Sequence, residues 1–280
     1  MGNQALTNPK REPLPLAAVR RAAEVVQVRA LAPAAAAQAA AAAAARRAKA
    51  TGKHAIAAFD FDGTSIQGNS PVLLVRYLRG DDLLRKRVLA KVGVWGAAYK
   101  LRLPQSEAWV RGQVFTAFEG GSKEQVDEYL RDFYDKVIAG QKRFRPKARA
   151  AMNALCDAGV EVVIVSATFG PIVRRAQEFE PFDVSLCTEM EVDANGNYTR
   201  RVDGECVEGE AKVRAITKWA NEKYGAGNWE LSCAFGDHHS DIPMLSRAAD
   251  AFAVTPDSTL SRTARENDWH ALDWNCKAEK

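Results

Sequence analysis

The chain has 280 residues, of which 47% are hydrophobic and 26% are charged, and its formal net charge is +4. This composition is typical of a globular protein with a large core and excludes a mainly disordered chain. The only long apolar run is an alanine tract, and alanine is too weakly hydrophobic to predict a membrane span. The start of the chain lacks a signal-peptide pattern, so we expect a cytoplasmic protein without a membrane partner.

Positive charge is concentrated at the N-terminus. Residues 1–53 contain nine Lys or Arg and two acidic residues, a balance of +7, which leaves −3 for the rest of the chain. The body of the protein is therefore not basic, which disfavours nucleic acid as its partner. We expect residues 1–52 to form an Ala/Arg-rich extension that is partly helical and mobile or loosely docked, because alanine cannot anchor a helix. A targeting peptide or a weak nucleic-acid arm are the alternatives.

The cysteines are odd in number, widely spaced and free of any C-x-x-C pair: Cys156, Cys187, Cys206, Cys233 and Cys276. This spacing argues against both a disulfide framework and a zinc site of the cysteine type. Reduced thiols are the expectation for a cytoplasmic protein.

The predicted elements begin with an apolar run at 54–61, which indicates a buried parallel strand. Residues 70–140 space their apolar residues by three and four, as helices do, and Ser122 is a predicted N-cap. Helices and strands then alternate: helix 146–159, strand 160–166, helix 171–180, strand 183–187, a hairpin around Asn195-Gly196, helix 209–225, strand 230–235, helix 241–249 and strand 250–254.

Alternating strands and helices predict an α/β fold with a doubly wound, Rossmann-like parallel sheet. The long helical stretch after the first strand interrupts this pattern. We therefore expect a core domain formed by residues 53–69 and 141–280, with an inserted all-helical cap domain at 70–140. The sequence does not indicate an oligomeric state.

Two carboxylates, Asp60 and Asp62, end the first strand and precede Gly63 and Thr64. Residues i and i+2 of a strand point to the same side, so both acids could face one point. Adjacent carboxylates repel each other unless a cation or a proton lies between them. Ligands of open α/β sheets bind beyond the carboxyl ends of the strands, so we interpret this pair as part of a functional site.

Other strand ends carry compatible groups. Ser166 and Ala167 follow the second strand, where a hydroxyl and backbone N–H groups favour an anion. Lys212 lies in the first turn of a helix, where the dipole disfavours a cation unless something negative is near. Asp237 ends a later strand and Asp241 follows four residues on. Carboxylates for a metal, with hydroxyl, N–H and ammonium groups for an oxyanion, suit phosphoryl transfer.

The ordered set D-x-D-G-T, S-A-T, K and G-D-x-x-x-D resembles the haloacid dehalogenase superfamily in its phosphatase branch. More narrowly, residues 54–275 are similar to the phosphoserine-phosphatase-like group, which carries a helical cap after the first motif. The resemblance implies a Mg²⁺-dependent phosphatase that acts on a small phosphorylated metabolite through a phosphoaspartate. A phosphotransferase or phosphomutase, a phosphoacceptor signalling domain, and an idle scaffold with a nucleic-acid-binding tail are the alternatives.

The resemblance also implies a role for each motif residue. Asp60 would be the nucleophile, and Asp62 the general acid and then the base. Mg²⁺ would be held by the Asp60 carboxylate, the Asp62 backbone carbonyl and Asp237. The implied phosphate-binding residues are Gly63, Thr64, Ser166, Ala167 and Lys212. Asp241 would orient Lys212 or a metal-bound water.

Two positions depart from the family pattern. Ser65 stands where an apolar residue is usual, which predicts slightly looser packing. Asn69 stands where phosphoserine phosphatases carry a glutamate, and the loss of that carboxylate argues against phosphoserine as substrate.

Other candidates are weaker. We expect His238 and His239 to be solvated loop residues. The helical insert also offers aromatic side chains that we expect to pack and arginines that could meet a second anion: Trp95, Tyr99, Trp109, Phe115, Arg76, Arg102 and Arg111.

Overall fold

A computed structural model describes residues 33–80 and 116–275, with the side chains of 33–35 and 79–80 excepted. Seven strands form one sheet in the order β4-β3-β2-β1-β5-β6-β7. Every neighbouring pair is parallel except β3 and β4. The strands are β1 (His54–Phe59), β2 (Glu161–Phe169), β3 (Val184–Val192), β4 (Tyr198–Asp203), β5 (Trp229–Gly236), β6 (Asp250–Val254) and β7 (His270–Leu272).

Helices in the described part flank this sheet. They are α1 (Pro33–Thr51), α2 (Ser70–Gly80), α3 (Lys123–Phe133), α4 (Pro146–Asp157), α5 (Gly170–Gln177), α6 (Glu210–Tyr224), α7 (Ile242–Arg247) and α8 (Ser258–Glu266). A π-helical turn, Tyr134–Ala139, extends α3, and Ser122 caps α3 by accepting a hydrogen bond from the Gln125 amide. The predicted α/β fold with a mostly parallel sheet is confirmed.

The central strands are buried on both faces because their side chains pack into two separate hydrophobic cores, one on each side of the sheet. Along β1, Ala57 and Phe59 belong to one core, whereas Ile56 and Ala58 belong to the other. This alternation follows from the two-residue period of a strand. A strand with apolar residues at consecutive positions therefore fits the middle of a sheet that helices cover on both sides.

Strand order determines where ligands can bind. The chain passes from β1 to β2 and β3 on one side of the sheet, and later from β5 to β6 and β7 on the other. Because β1 lies between β2 and β5, the carboxyl ends of these three strands are adjacent. This is the topological switch point of an open α/β sheet, where ligand sites form.

The alanine-rich helix α1 corrects the expectation of a mobile or loosely docked extension from residue 33 onward, whereas residues 1–32 lie outside the described part. Its alanine side chains are buried in the larger core: Ala36, Ala37, Ala40, Ala41 and Ala44. Small side chains allow a close approach between helices, and α1 packs against α4. Arg47 donates to the Asp250 carboxylate at 2.8 Å and to the Ser232 carbonyl at 3.0 Å. The helix is therefore part of the larger hydrophobic core on one side of the sheet.

The hairpin around Asn195-Gly196 is present, but the strand before it is longer than predicted. The predicted strand 183–187 and the first arm of the hairpin form one strand, β3, which pairs with β2 and then with β4. Asp193 accepts hydrogen bonds from the amides of Asn195 and Asn197 and so closes the turn.

The proposed cap domain at 70–140 remains a prediction, because residues 81–115 lie outside the described part. The cap aromatic residues and two of the three cap arginines named above fall in that range. Arg76 is exposed on α2 and does not line the site cavity. Where the structure describes the chain, it contains no helix long and apolar enough to cross a membrane.

Candidate active site

A buried ion-pair network lies beyond the carboxyl end of β1. The Lys212 ammonium donates to Asp60 Oδ1 at 2.7 Å and to Asp241 Oδ1 at 2.5 Å. Lys212 is 3% exposed and Asp60 7%, so water screens these contacts weakly. Lys212 extends from the first turn of α6, and its unusual place there is explained by the two carboxylates. Two roles were predicted for Asp241, to orient Lys212 or to orient a metal-bound water, and its contact with Lys212 agrees with the first.

Carboxylates outnumber cations in this network. Asp60, Asp237 and Asp241 each offer an oxygen, and these oxygens lie within 4.8 Å of one another. With every group ionised, the cluster carries three negative charges and the single positive charge of Lys212. The net charge of −2 equals in magnitude the charge of a divalent cation.

The pKa values reflect this crowding. Burial raises the pKa of Asp60 well above its usual value; the Lys212 ammonium opposes this effect and the charges of Asp241 and Asp237 add to it. Burial, helped by the charge of Asp241, raises the pKa of Asp237 to about 7. Burial alone would lower the pKa of Lys212, but the carboxylates of Asp241 and Asp60 outweigh it and raise that pKa. A metal-free site therefore favours bound protons.

Asp237 is oriented by the motif that follows β1. The Thr64 hydroxyl donates to Asp237 Oδ1 at 3.0 Å. Thr64 is fully buried and is not among the described residues that line the cavity, so its predicted phosphate contact stays a prediction. Gly63 has a φ of +74°, and a Cβ built there would lie 2.0 Å from Asp237 Oδ2. Only glycine lets the backbone pass this close to the carboxylate.

Both carboxylate oxygens of Asp241 accept hydrogen bonds from neighbouring protein groups. Its Oδ1 accepts from Lys212, and its Oδ2 accepts from the backbone amides of Asp237 and His238, each at 3.1 Å. These contacts fix the loop that carries Asp237. Asp60 and Asp237 are therefore the carboxylates of the cluster best placed to hold a metal ion.

Asp62 lies in the same cavity but is held by different partners. Its carboxylate accepts from the Ser70 amide at 2.6 Å, from the Ser70 hydroxyl at 2.9 Å and from the Thr168 hydroxyl at 2.7 Å. The two hydroxyls also contact each other at 2.8 Å. Ser70, the first residue of α2, is 0% exposed, and Thr168, near the end of β2, is 2% exposed. These two buried side chains hold the Asp62 carboxylate in place. Ser70 was not predicted as a site residue, and Thr168, the last residue of the S-A-T motif, was given no role.

Polar and charged residues predominate among those that line the cavity. The volume is about 280 Å³, and the described lining residues are Asp60, Asp62, Gly63, Gly68, Asn69, Pro71, Ser166, Ala167, Glu208, Lys212, Asp237, His238 and Ser240. Ser166 is 2% exposed, and its Oγ accepts from the Thr168 amide at 3.2 Å, which leaves its own proton available for an oxyanion. Three of the four predicted acids, Asp60, Asp62 and Asp237, therefore line one cavity.

The two departures from the family pattern have structural roles. The Ser65 hydroxyl donates to the Asp60 backbone carbonyl at 2.6 Å, so it fixes the main chain at that aspartate rather than loosening the packing. Asn69 lines the cavity and also caps α2, because its Oδ1 accepts from the Val72 amide at 3.2 Å.

Glu208 is a cavity residue that the sequence analysis missed. It lies in the loop before α6, two residues after the cysteine at 206, and no motif surrounds it. Its proximity to the site depends on the α6 N-terminus docking beside β1, a contact between segments some 150 residues apart. Its only sequence signal is its place four residues before Lys212.

Comparison with known families gives a match over residues 57–246 to the profile of the haloacid dehalogenase-like hydrolases. This range contains every predicted site residue.

Individual relatives agree with this match. A phosphoserine phosphatase of Mycobacterium tuberculosis, SerB1, is 28% identical over 225 residues, which cover 79% of this chain and 71% of the relative. A protein of unknown function from Bordetella pertussis has a similar structure, with a TM-score of 0.70 at 20% identity over 79% of this chain and 99% of that one. A substrate-bound phosphoserine phosphatase has a TM-score of 0.53 at 19% identity, over 79% and 93%.

Proposed function

The chain belongs to the haloacid dehalogenase-like hydrolases, within their phosphoserine-phosphatase-like group of phosphatases, and from this premise we propose that it hydrolyses a small phosphomonoester through a phosphoaspartate on Asp60. The observation that carries the proposal is the buried Lys212 ammonium, which contacts Asp60 in a cavity that Asp62 and Asp237 also line. A structural ion pair would not need two further carboxylates around an open cavity.

The donor set fits Mg²⁺. The available side-chain ligands are carboxylate oxygens, which hard cations prefer, and the local charge of −2 favours a divalent ion. We propose that Asp60, Asp237 and the Asp62 backbone carbonyl hold it. When bound, Mg²⁺ supplies charge neutralisation that lets a carboxylate approach a phosphate dianion.

Asp60 forms the new bond in the first step. Its carboxylate attacks phosphorus, the P–O bond to the substrate alcohol breaks, and the phosphoryl group becomes bonded to Asp60. The Ser166 hydroxyl and the Ala167 amide hold phosphate oxygens, and Lys212 offsets the charge that develops on them. A low exposed fraction of Lys212 strengthens that interaction, because little water competes for the charge.

Asp62 moves the protons. It donates one to the departing alcohol oxygen and then accepts one from the water that attacks phosphorus, which releases phosphate and restores Asp60. Its contacts with Ser70 and Thr168 hold the carboxylate in the cavity without placing it against Lys212. This separation lets two aspartates two residues apart perform different tasks.

Substrate size and charge follow from the cavity. A volume of about 280 Å³ suits a phosphate group with a few further heavy atoms rather than a polymer. Glu208 lies in the cavity wall and offers the carboxylate that Asn69 lacks. We propose that Glu208 favours substrates with an ammonium group, phosphoserine among them. Glu208→Gln should then lower kcat/KM about tenfold for amine-bearing phosphoesters and leave phosphoglycolate hydrolysis unchanged.

A screen of phosphorylated metabolites with Mg²⁺ and with a chelator tests the reaction class. We expect turnover that requires Mg²⁺ and that Asp60→Asn abolishes, while Asp203→Asn, an exposed matched change on β4, retains it. Retained hydrolysis by Asp60→Asn would refute the nucleophile. A stable phosphoaspartate without turnover would favour a phosphoacceptor domain, and transfer to an added alcohol would favour a phosphotransferase.

A further inference from the structure

A second group of ligand atoms lies beside the active-site loop and has no role in the proposed reaction. One atom each from His238, His239 and Asp257 lies within 4.8 Å of the other two. Asp257 Oδ2 is 3.2 Å from His239 Nδ1 and 3.7 Å from His238 Nε2. In a tetrahedral zinc site with bonds of 2.0–2.2 Å, two ligand atoms are separated by about 3.3–3.6 Å. The two measured separations lie on either side of this value.

Hydrogen bonds already orient the side chains of His238 and Asp257. His238 Nδ1 contacts the Ser240 hydroxyl at 3.0 Å and accepts from the Ser240 amide at 3.4 Å. When the imidazole carries its proton on Nδ1 and donates it to that hydroxyl, Nε2 is left as the ligand atom. Asp257 accepts from the Leu260 amide at 2.7 Å as the N-cap of α8, and from the His239 amide at 3.0 Å. Contacts of this kind fix ring orientation and carboxylate direction in metal sites, so binding would require a change of tautomer at His238 but little movement of the ligands.

Donor type separates this group from the Asp60 cluster. Imidazole nitrogens suit borderline ions such as Zn²⁺, whereas Mg²⁺ prefers oxygen. We propose that His238, His239 and Asp257 form a zinc-binding site with three protein ligands and an open fourth position. The exposed fractions of the two imidazoles, 29% for His238 and 56% for His239, let an ion enter from solvent.

Zinc at this place would connect the active-site loop to α8. The Asp257 amide already donates to the Asp237 carbonyl at 2.9 Å, and His238 also lines the catalytic cavity. An ion bridging both histidines and Asp257 would close a loop between the end of β5 and the start of α8. We therefore expect zinc to raise the melting temperature of the full chain.

The direct test is calorimetric titration of the metal-stripped full chain with Zn²⁺, with Mg²⁺ in large excess to occupy oxygen sites. We expect one Zn²⁺ per chain with a Kd of about 1 µM, as suits a site with two imidazoles and one carboxylate. His239→Gln should weaken this binding at least about 100-fold, because it removes a metal ligand. His54→Gln, a matched change at an exposed histidine stacked on Tyr224, should bind as the parent does.

X-ray absorption of the zinc-loaded chain identifies the ligands. Nitrogen and oxygen neighbours at about 2.0–2.2 Å, with imidazole scattering that decreases in His239→Gln, would support the site. Sulfur neighbours, equal affinity in the parent and His239→Gln, or no binding below about 100 µM would overturn it. Neither measurement needs turnover, so the zinc site and the phosphatase reaction stand or fail separately.

Discussion

Metal-free stability provides a quantitative test of the crowded carboxylates, through the change Asp237→Asn. Burial and the charge of Asp241 raise the pKa of Asp237 from 3.8 to about 7. Between these values the folded state binds more protons than the unfolded state, so stability falls as pH rises. Each pKa unit corresponds to about 1.4 kcal/mol, so ionised Asp237 costs up to about 4 kcal/mol above pH 7.

Asparagine removes this cost and can still accept the Thr64 hydrogen bond. We therefore expect Asp237→Asn to be more stable than the parent in a chelator, with an advantage that grows by about 3 kcal/mol from pH 5 to pH 8. Urea unfolding followed by circular dichroism at both pH values measures this advantage, with Asp203→Asn as the exposed control. Saturating Mg²⁺ should reverse the order at pH 8. An advantage that does not change with pH would refute the electrostatic reasoning.

Three further substitutions test separate parts of the structure. Gly63→Ala places a methyl group 2.0 Å from Asp237 Oδ2, so we expect Mg²⁺ affinity and kcat to fall at least about tenfold, measured by activity titration with Mg²⁺. Thr168→Val removes the hydroxyl that donates to Asp62 at nearly constant shape, so kcat should fall about 10- to 100-fold and the melting temperature should fall slightly because a buried hydrogen bond is lost. A normal kcat would contradict the role of Thr168 in positioning Asp62. Ala44→Leu overpacks the buried face of α1 and should destabilise the chain by about 1–3 kcal/mol in denaturant unfolding, whereas a neutral effect would mean that α1 is not docked.

Local patterns predicted the strands that carry the site, because each strand end is marked by residues that strands avoid. Asp60 and Asp62 follow an apolar run, and Asp237 follows another. The order of the motifs then indicated one shared edge of a parallel sheet. Their convergence was predictable because the carboxyl ends of neighbouring parallel strands meet at one edge.

Contacts between distant segments were not predictable in the same way. Alanine content predicts that α1 is helical, but its packing on α4 and the Arg47 contact with Asp250, 203 residues away, depend on the finished fold. The same reason applies to Thr64, whose hydroxyl donates to Asp237, 173 residues along the chain, a contact that no local pattern predicts. Ser70 at a helix start is a common N-cap, and nothing local indicates that it holds Asp62.

Detection of the covalent intermediate tests the central claim most directly. Rapid acid quenching during turnover, followed by proteolysis and mass spectrometry, locates any phosphoryl group on the chain. We predict one phosphoryl group on Asp60. With an aryl phosphate, whose leaving group needs no proton from Asp62, its occupancy should be higher in Asp62→Asn because the water that releases the group loses its base. Phosphate release with no phosphoryl group on Asp60, or with the group on another residue, would contradict the account.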